Sequence, residues 1–172
     1  MARRRTDLRK FQEELARRIA SADRAASAGR RLAFKAGGAS WLVALPDAGE
    51  VLAVPALTAV PLTRSWVRGM ANVRGNLYTV IDLAAFQGER LTPVGPRNRL
   101  LLIGQRHAMN SALLVDLVLG LRDVADFAPR AADVPHARPW IKATYEDRNG
   151  ASWQELEVPA LLQASQFLDV AA

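Results

Sequence analysis

None of the 172 residues is cysteine. That absence removes disulfides, thiolate zinc ligands and cysteine nucleophiles together, and it fits a reducing cytoplasm. Histidine is almost as scarce. His107 and His136 lie 29 residues apart in charged, loop-like surroundings, and each reads as a surface residue rather than a general base. Two histidines without cysteine could bind zinc only with carboxylate help, and no ligand spacing points to such a site. A GxSxG elbow, a phosphate-binding loop and a GxGxxG turn are all missing. The expectation is a protein with no enzymatic activity, no cofactor and no metal.

Long apolar runs are missing too. The longest, Ala112 to Leu121, is too short to span a bilayer and is interrupted by Asp116 and Gly120. Three arginines open the chain, but no apolar region follows them, and Asp7, Glu13 and Glu14 do not suit a transit peptide. The expected location is cytoplasmic. A basic face is also lacking, although the net charge is +6. Residues 1–31 hold ten Arg/Lys against four Asp/Glu, which leaves 13 basic and 13 acidic side chains for the rest. A neutral body behind a basic N-terminal appendage argues against nucleic-acid binding, and the aromatic residues are scattered without basic neighbours.

What is present begins with an amphipathic pattern. Leu8, Phe11, Leu15, Ile19 and Ala22 recur at helical spacing, which predicts a helix over residues 6–27. Thr6 is placed to cap it and Gly29 to stop it. This basic helix over 1–30 could dock on the domain, bind a partner or touch anionic lipid. From Arg31 onward short apolar segments alternate with turn residues. They predict strands at Leu32–Lys35, Ser40–Leu45, Glu50–Val54, Leu77–Leu83, Leu100–Ile103, Ser111–Val115, Leu117–Val124, Ile141–Tyr145 and Ser152–Val158. Asn149-Gly150 predicts a tight hairpin turn between the last two. Glu155 and Glu157 share a strand face, read as a solvated edge. Leu100-Leu101-Leu102-Ile103 has no polar side, so it needs apolar cover on both faces, from two packed layers or from one barrel abutting another. A short helix, Pro159–Gln166, closes the pattern.

One segment carries more than fold. Residues 66–88 read WVRGMANVRGNLYTVIDLAAFQG, with Arg-Gly steps at Arg68-Gly69 and Arg74-Gly75. Glycine permits a tight turn, so Arg74 is projected from a rigid point ahead of an apolar strand. Its planar guanidinium suits a carboxylate or carbonyl on a partner, or one of the protein's own acids. Asp82 and Asp116 each interrupt an apolar strand without a catalytic companion. They read as structural acids, capping backbone N–H groups or pairing with arginine.

Gly69, Asn72, Val73, Arg74 and Gly75, followed by Ile81-Asp82-Leu83, resemble the signature of CheW-like domains. Val115, Asp116 and Val118 resemble the family's later Val-Asp-x-Val strand, and Gly49-Glu50-Val51 and Val60-Pro61 resemble earlier steps. The similarity runs in order from about residue 31 to 168. ASWLVAL, Pro61-Leu62-Thr63 and AAFQG resemble the branch of the family that serves type IV pilus (twitching motility) chemosensory systems. The resemblance implies an all-β domain over 31–170, two interleaved five-stranded SH3-like β-barrels around a shared core. It also implies a non-catalytic adaptor joining the cytoplasmic tip of a methyl-accepting chemoreceptor to the regulatory domain of a CheA-type histidine kinase. Such an adaptor meets the membrane only through the receptor array. By position Asn72, Arg74 and Gly75 carry over to the contact motif, and Val51 to the groove between the barrels. Tyr78-Thr79, where many members have proline, and Val73, where many have leucine, depart from the pattern and bear on partner choice. The alternative is a small-barrel module that binds a ligand or nucleic acid.

Overall fold

Strands that are apolar on both faces need two cores, and the computed structural model supplies three. It describes residues 29–130 and 138–172, together with Glu14. The helix expected over 6–27, and His136, lie outside the described residues.

The chain builds part of one sheet, completes a second, and returns to finish the first. β1 (Arg30–Ala36) and β2 (Ala39–Ala44) begin the first sheet. β3 (Ala48–Ala53), β4 (Leu57–Thr58), β5 (Val67–Val73), β6 (Asn76–Asp82), β7 (Arg99–Ile103) and β8 (Ser111–Val115) make the second. β9 (Leu117–Asp123), β10 (Ala128–Arg130), β11 (Ile141–Glu146) and β12 (Ser152–Leu156) complete the first. The hydrogen-bonded orders are β10-β11-β12-β2-β1-β9 and β3-β7-β8-β6-β5-β4. Most pairs are antiparallel; β12 runs parallel to β2, and β6 parallel to β8. This is the expected all-β class with two interleaved units. Each sheet counts six strands because the very short β4 and β10 extend it.

Period-two alternation divides the side chains among the cores. Leu101, Ile103, Leu113 and Val115 face a core that also takes Leu32, Phe34, Trp41 and Val43 from the first sheet. Their neighbours Leu100, Leu102, Ala112 and Leu114 turn into a core inside the second sheet with Val73, Tyr78 and Val80. Ala33, Leu42, Phe127 and Trp153 make the corresponding core of the first. The shared core is closed by three short helices, α1 (Leu83–Phe86), α2 (Val158–Gln163) and α3 (Ser165–Leu168). Phe86 sits at their centre, with its ring 5.3 Å from Trp66, 5.6 Å from Phe167 and 5.0 Å from Trp140.

Several details differ from expectation. The predicted C-terminal helix is two helices, because Ala164 adopts extended backbone between them. Arg30, expected in the basic appendage, belongs to β1, and its neighbour Arg31 is tied into the first sheet. Asn149-Gly150 is not a two-residue turn. Only Gly150 takes positive φ, and the loop is closed by Asp147, whose carboxylate accepts from the backbone N–H groups of Asn149 and Ala151. The Trp153 indole N–H also reaches that carboxylate and, with those backbone groups, holds it below the ordinary carboxylate range. Glu155 is not on a solvated edge. β12 is internal, and Glu155 is 2% exposed, accepting from Arg31 Nε and from the Tyr145 hydroxyl, each at 2.8 Å.

Candidate partner-binding surface

The signature segment folds as the β5–β6 hairpin. Val73 pairs with Asn76, so Arg74 and Gly75 are the whole turn, with φ of 52° and 87°. Positive φ at both central positions is the type I′ requirement, which asparagine or glycine meets at the first position with least strain. Here arginine occupies it, in the left-handed region that a Cβ makes costly. Asn72 Oδ1 accepts from Gly75 N at 2.9 Å and ties the turn to its own strand. Arg74 is held out into solvent, its side chain 77% exposed, and Nη2 donates to Glu50 Oε1 of β3 at 2.7 Å. Val51 follows Glu50. It is half-buried against the shared core and lies opposite Leu101 in the β3–β7 register.

Behind the tip the hairpin is anchored by charge. Asp82, fully buried at the end of β6, accepts from Arg68 Nη1 and from Thr92 N through Oδ2, both at 2.8 Å. Its Oδ1 accepts from Thr92 Oγ1 at 2.8 Å and from Ala85 N, capping α1. Arg68 also donates to the Thr92 carbonyl. Asp116 stands where the chain crosses from β8 to β9, and Oδ2 accepts from Gly37 N at the tip of the β1–β2 hairpin.

The Arg74–Glu50 pair borders a half-open hollow of ≈ 290 Å³ at the end of the second sheet's core. Val73, Tyr78 and Leu102 reach it from that core, and Asn76 and Gln105 contribute polar rim. His107 lies close by in sequence. It is not the open surface residue that its neighbours implied, because the ring is largely covered and Nε2 lies 2.9 Å from Asp47 Oδ1. Among the described residues no group of three or more His, Asp or Glu could hold a metal. Among the described residues no helix is long and apolar enough to cross a membrane.

Sequence reasoning placed Asn72, Arg74 and Gly75 together, and the fold puts Arg74 and Gly75 on one turn that Asn72 ties to β5. It missed β5 itself, because Arg68, Gly69 and Asn72 break the apolar alternation. It also missed Glu50 as the partner of Arg74. The signal for it in the sequence is the charge of Glu50 in the Gly49-Glu50 step.

Two interleaved six-stranded sheets around a shared core, with an exposed charged turn over a half-open hollow, define the class as a small all-β domain. The family model described as the CheW-like domain matches residues 30–166, so the chain belongs to the CheW-like domain family. It is 32% identical over 143 residues to Protein PilI of Pseudomonas aeruginosa, covering 81% of this chain and 79% of that protein. It is 38% identical over 82 residues to Protein FrzA of Myxococcus xanthus, covering 46% of this chain and 51% of the relative. The crystal structure of the scaffolding protein TtCheW from Thermoanaerobacter tengcongensis superposes with a TM-score of 0.66 at 17% identity. That match covers 80% of this chain and 94% of TtCheW, and it supports the fold.

Proposed function

We propose that this protein is a non-catalytic cytoplasmic adaptor that couples a methyl-accepting chemoreceptor to the regulatory domain of a CheA-type histidine kinase. The likeness to PilI over four-fifths of the chain favours a system that controls type IV pilus twitching motility. The observation that carries the reading is Arg74. A cation held in a strained backbone conformation on a two-residue turn, and left 77% exposed, adds little to folding, whereas a binding face uses a preorganised guanidinium directly. Asn72 and Gly75 serve by shaping that turn, and Val51 lines the adjacent strand. Membrane association is indirect, through the receptor array. The basic segment that precedes β1, expected over 1–30, is read as an appendage to the domain expected over 31–170, whose first strand already includes Arg30.

The test is Arg74→Glu. The protein stays folded, because an exposed ion pair contributes at most about 1 kcal/mol. Association with the kinase regulatory domain or the receptor array falls by about 2–4 kcal/mol. Unchanged co-sedimentation of a folded Arg74→Glu protein would remove Arg74 from the interface.

A further inference from the structure

Leu62 is costly to the fold on two counts. Its backbone takes a φ of 58°, in the left-handed region that a leucine Cβ disfavours, and the residue is 85% exposed. The loop that carries it is fastened. The Thr63 hydroxyl donates to the Val60 carbonyl, and the C-terminal residues run alongside, with Arg64 N donating to Val170 O and Ala172 N to Leu62 O. Arg64 Nη2 also donates to Asp169 Oδ2 at 2.7 Å. The two arms so joined bring Val60, Leu62, Leu168 and Val170, all exposed, into one apolar patch. The other large exposed apolar side chains, Leu77, Leu91, Val94 and Leu121, are spread over β6, β9 and the loop between α1 and β7. A patch gathered from two segments and held on strained backbone marks a contact surface.

The chain itself carries a matching stripe. Leu8, Phe11, Leu15, Ile19 and Ala22 recur at helical spacing in the segment before β1, which lies outside the described residues. Lys10, Arg17 and Arg24 fall on the opposite side by the same spacing. The patch offers no surplus charge, because Arg64 and Asp169 neutralise each other, so it suits an apolar stripe that leaves its cations in water. Reach fits as well. The segment joins the domain at Gly29, and α1 packs beside Gly37 at the other end of β1. Trp66 and Phe167, from which the two arms lead off, pack on Phe86 of α1. A strand of seven residues spans about 23 Å, whereas a helix over 6–27 spans about 33 Å. A helix returning along the domain from Gly29 therefore covers the distance to the patch.

We propose that the segment before β1 docks on its own domain, with its apolar stripe seated on the Leu62 patch and its basic side turned to solvent. The occupant is part of the same chain, so the docking is independent of the adaptor reading.

The test uses the full chain, whose lack of cysteine makes any introduced disulfide unambiguous. Leu62→Cys is combined in turn with Leu8→Cys, Phe11→Cys and Leu15→Cys, and with Glu13→Cys, which lies opposite the stripe. Under mild oxidation at least one stripe pair is expected to close within a single chain about tenfold faster than the Glu13 pair, because docking raises the effective concentration on one face only. Trypsin gives a second reading, since Arg17 and Arg18 lie within the segment. Leu62→Asp changes an exposed residue and leaves the domain folded by circular dichroism, while cleavage at these arginines rises about tenfold as the undocked population grows. Phe11→Asp does the same, and the double variant adds nothing further. Stripe pairs that close no faster than the Glu13 pair would reveal a tether without a docked face and overturn the proposal. Disulfides between chains would give the patch to a second copy and overturn it too. Unchanged cleavage of Leu62→Asp would overturn it whatever the disulfides do.

Discussion

Arg68 and Asp82 are joined by a 2.8 Å ion pair whose acidic member is fully buried, and that pair fixes the root of the signature hairpin. Asp82 also gathers Thr92 and the first turn of α1, so one carboxylate holds β5, β6, the following helix and the loop beyond it. Removing one partner of a buried pair leaves the other uncompensated, which costs about 3–5 kcal/mol. Asp82→Ala is expected to lose stability of that order in urea unfolding. A loss below about 1 kcal/mol would show that Asp82 does not organise the hairpin.

Arg74 predicts a trade between stability and binding. Asparagine tolerates the left-handed conformation at the first central position of a two-residue turn better than arginine does. Arg74→Asn relieves that strain and gives up only an exposed ion pair, so stability is expected to rise by up to about 1 kcal/mol. Partner binding is expected to fall as it does for Arg74→Glu. Denaturant midpoints and affinities measured on the same samples check both halves, and a less stable Arg74→Asn protein would show that Arg74 is retained for folding.

The β1–β2 turn separates backbone strain from crowding. Gly37 and Gly38 both take positive φ, at 54° and 56°. A Cβ on Gly38 meets open space, whereas one on Gly37 would lie 2.8 Å from Ala84 Cβ and beside the Glu89 carboxylate. Gly38→Ala is expected to cost about 1 kcal/mol, the strain alone. Gly37→Ala adds overpacking and disturbs the hydrogen bond to Asp116, and is expected to cost at least about 2 kcal/mol. Equal losses in thermal unfolding would show that the contact with α1 yields freely.

The nine strands expected from alternation and turn residues are all present, with ends shifted by one or two residues in most. The apolar run Leu100–Ile103 required two cores, and it has them. The failures share a cause. β4 and β10 are two and three residues long, too short for a period to register. β5 contains a register shift at Gly69, where a side chain would collide with the Thr58 carbonyl, so the alternation that marks a strand is broken within it. Glu155 looked solvated because local pattern cannot show that Arg31, 124 residues earlier, arrives beside it. The candidate site was half legible for the same reason. The turn is local and readable, but Glu50, 24 residues away from Arg74, is placed by the sheet.

The buried cluster around Glu155 gives the fold a dependence on alkaline pH. Burial, the hydrogen bond to Glu155 and the negative charge of Glu155 push the Tyr145 hydroxyl up from 10.0 to about 12, with Arg31 opposing. The folded state therefore favours the neutral phenol. Its stabilisation is fully present below pH 10, the ordinary tyrosine value, and is lost as pH rises towards about 12. Tyr145→Phe leaves the buried Glu155 carboxylate with one fewer donor, which is expected to cost about 1–3 kcal/mol at neutral pH. The gap between wild type and Tyr145→Phe should then narrow through the alkaline window. Denaturant unfolding at pH 8 and again near pH 11.5 measures it, and Tyr78 is the other tyrosine of the chain, so a difference absorbance titration isolates the Tyr145 phenol. A gap that stays constant across that range, or a phenol that titrates near 10, would mean that Tyr145 does not donate to Glu155 in solution.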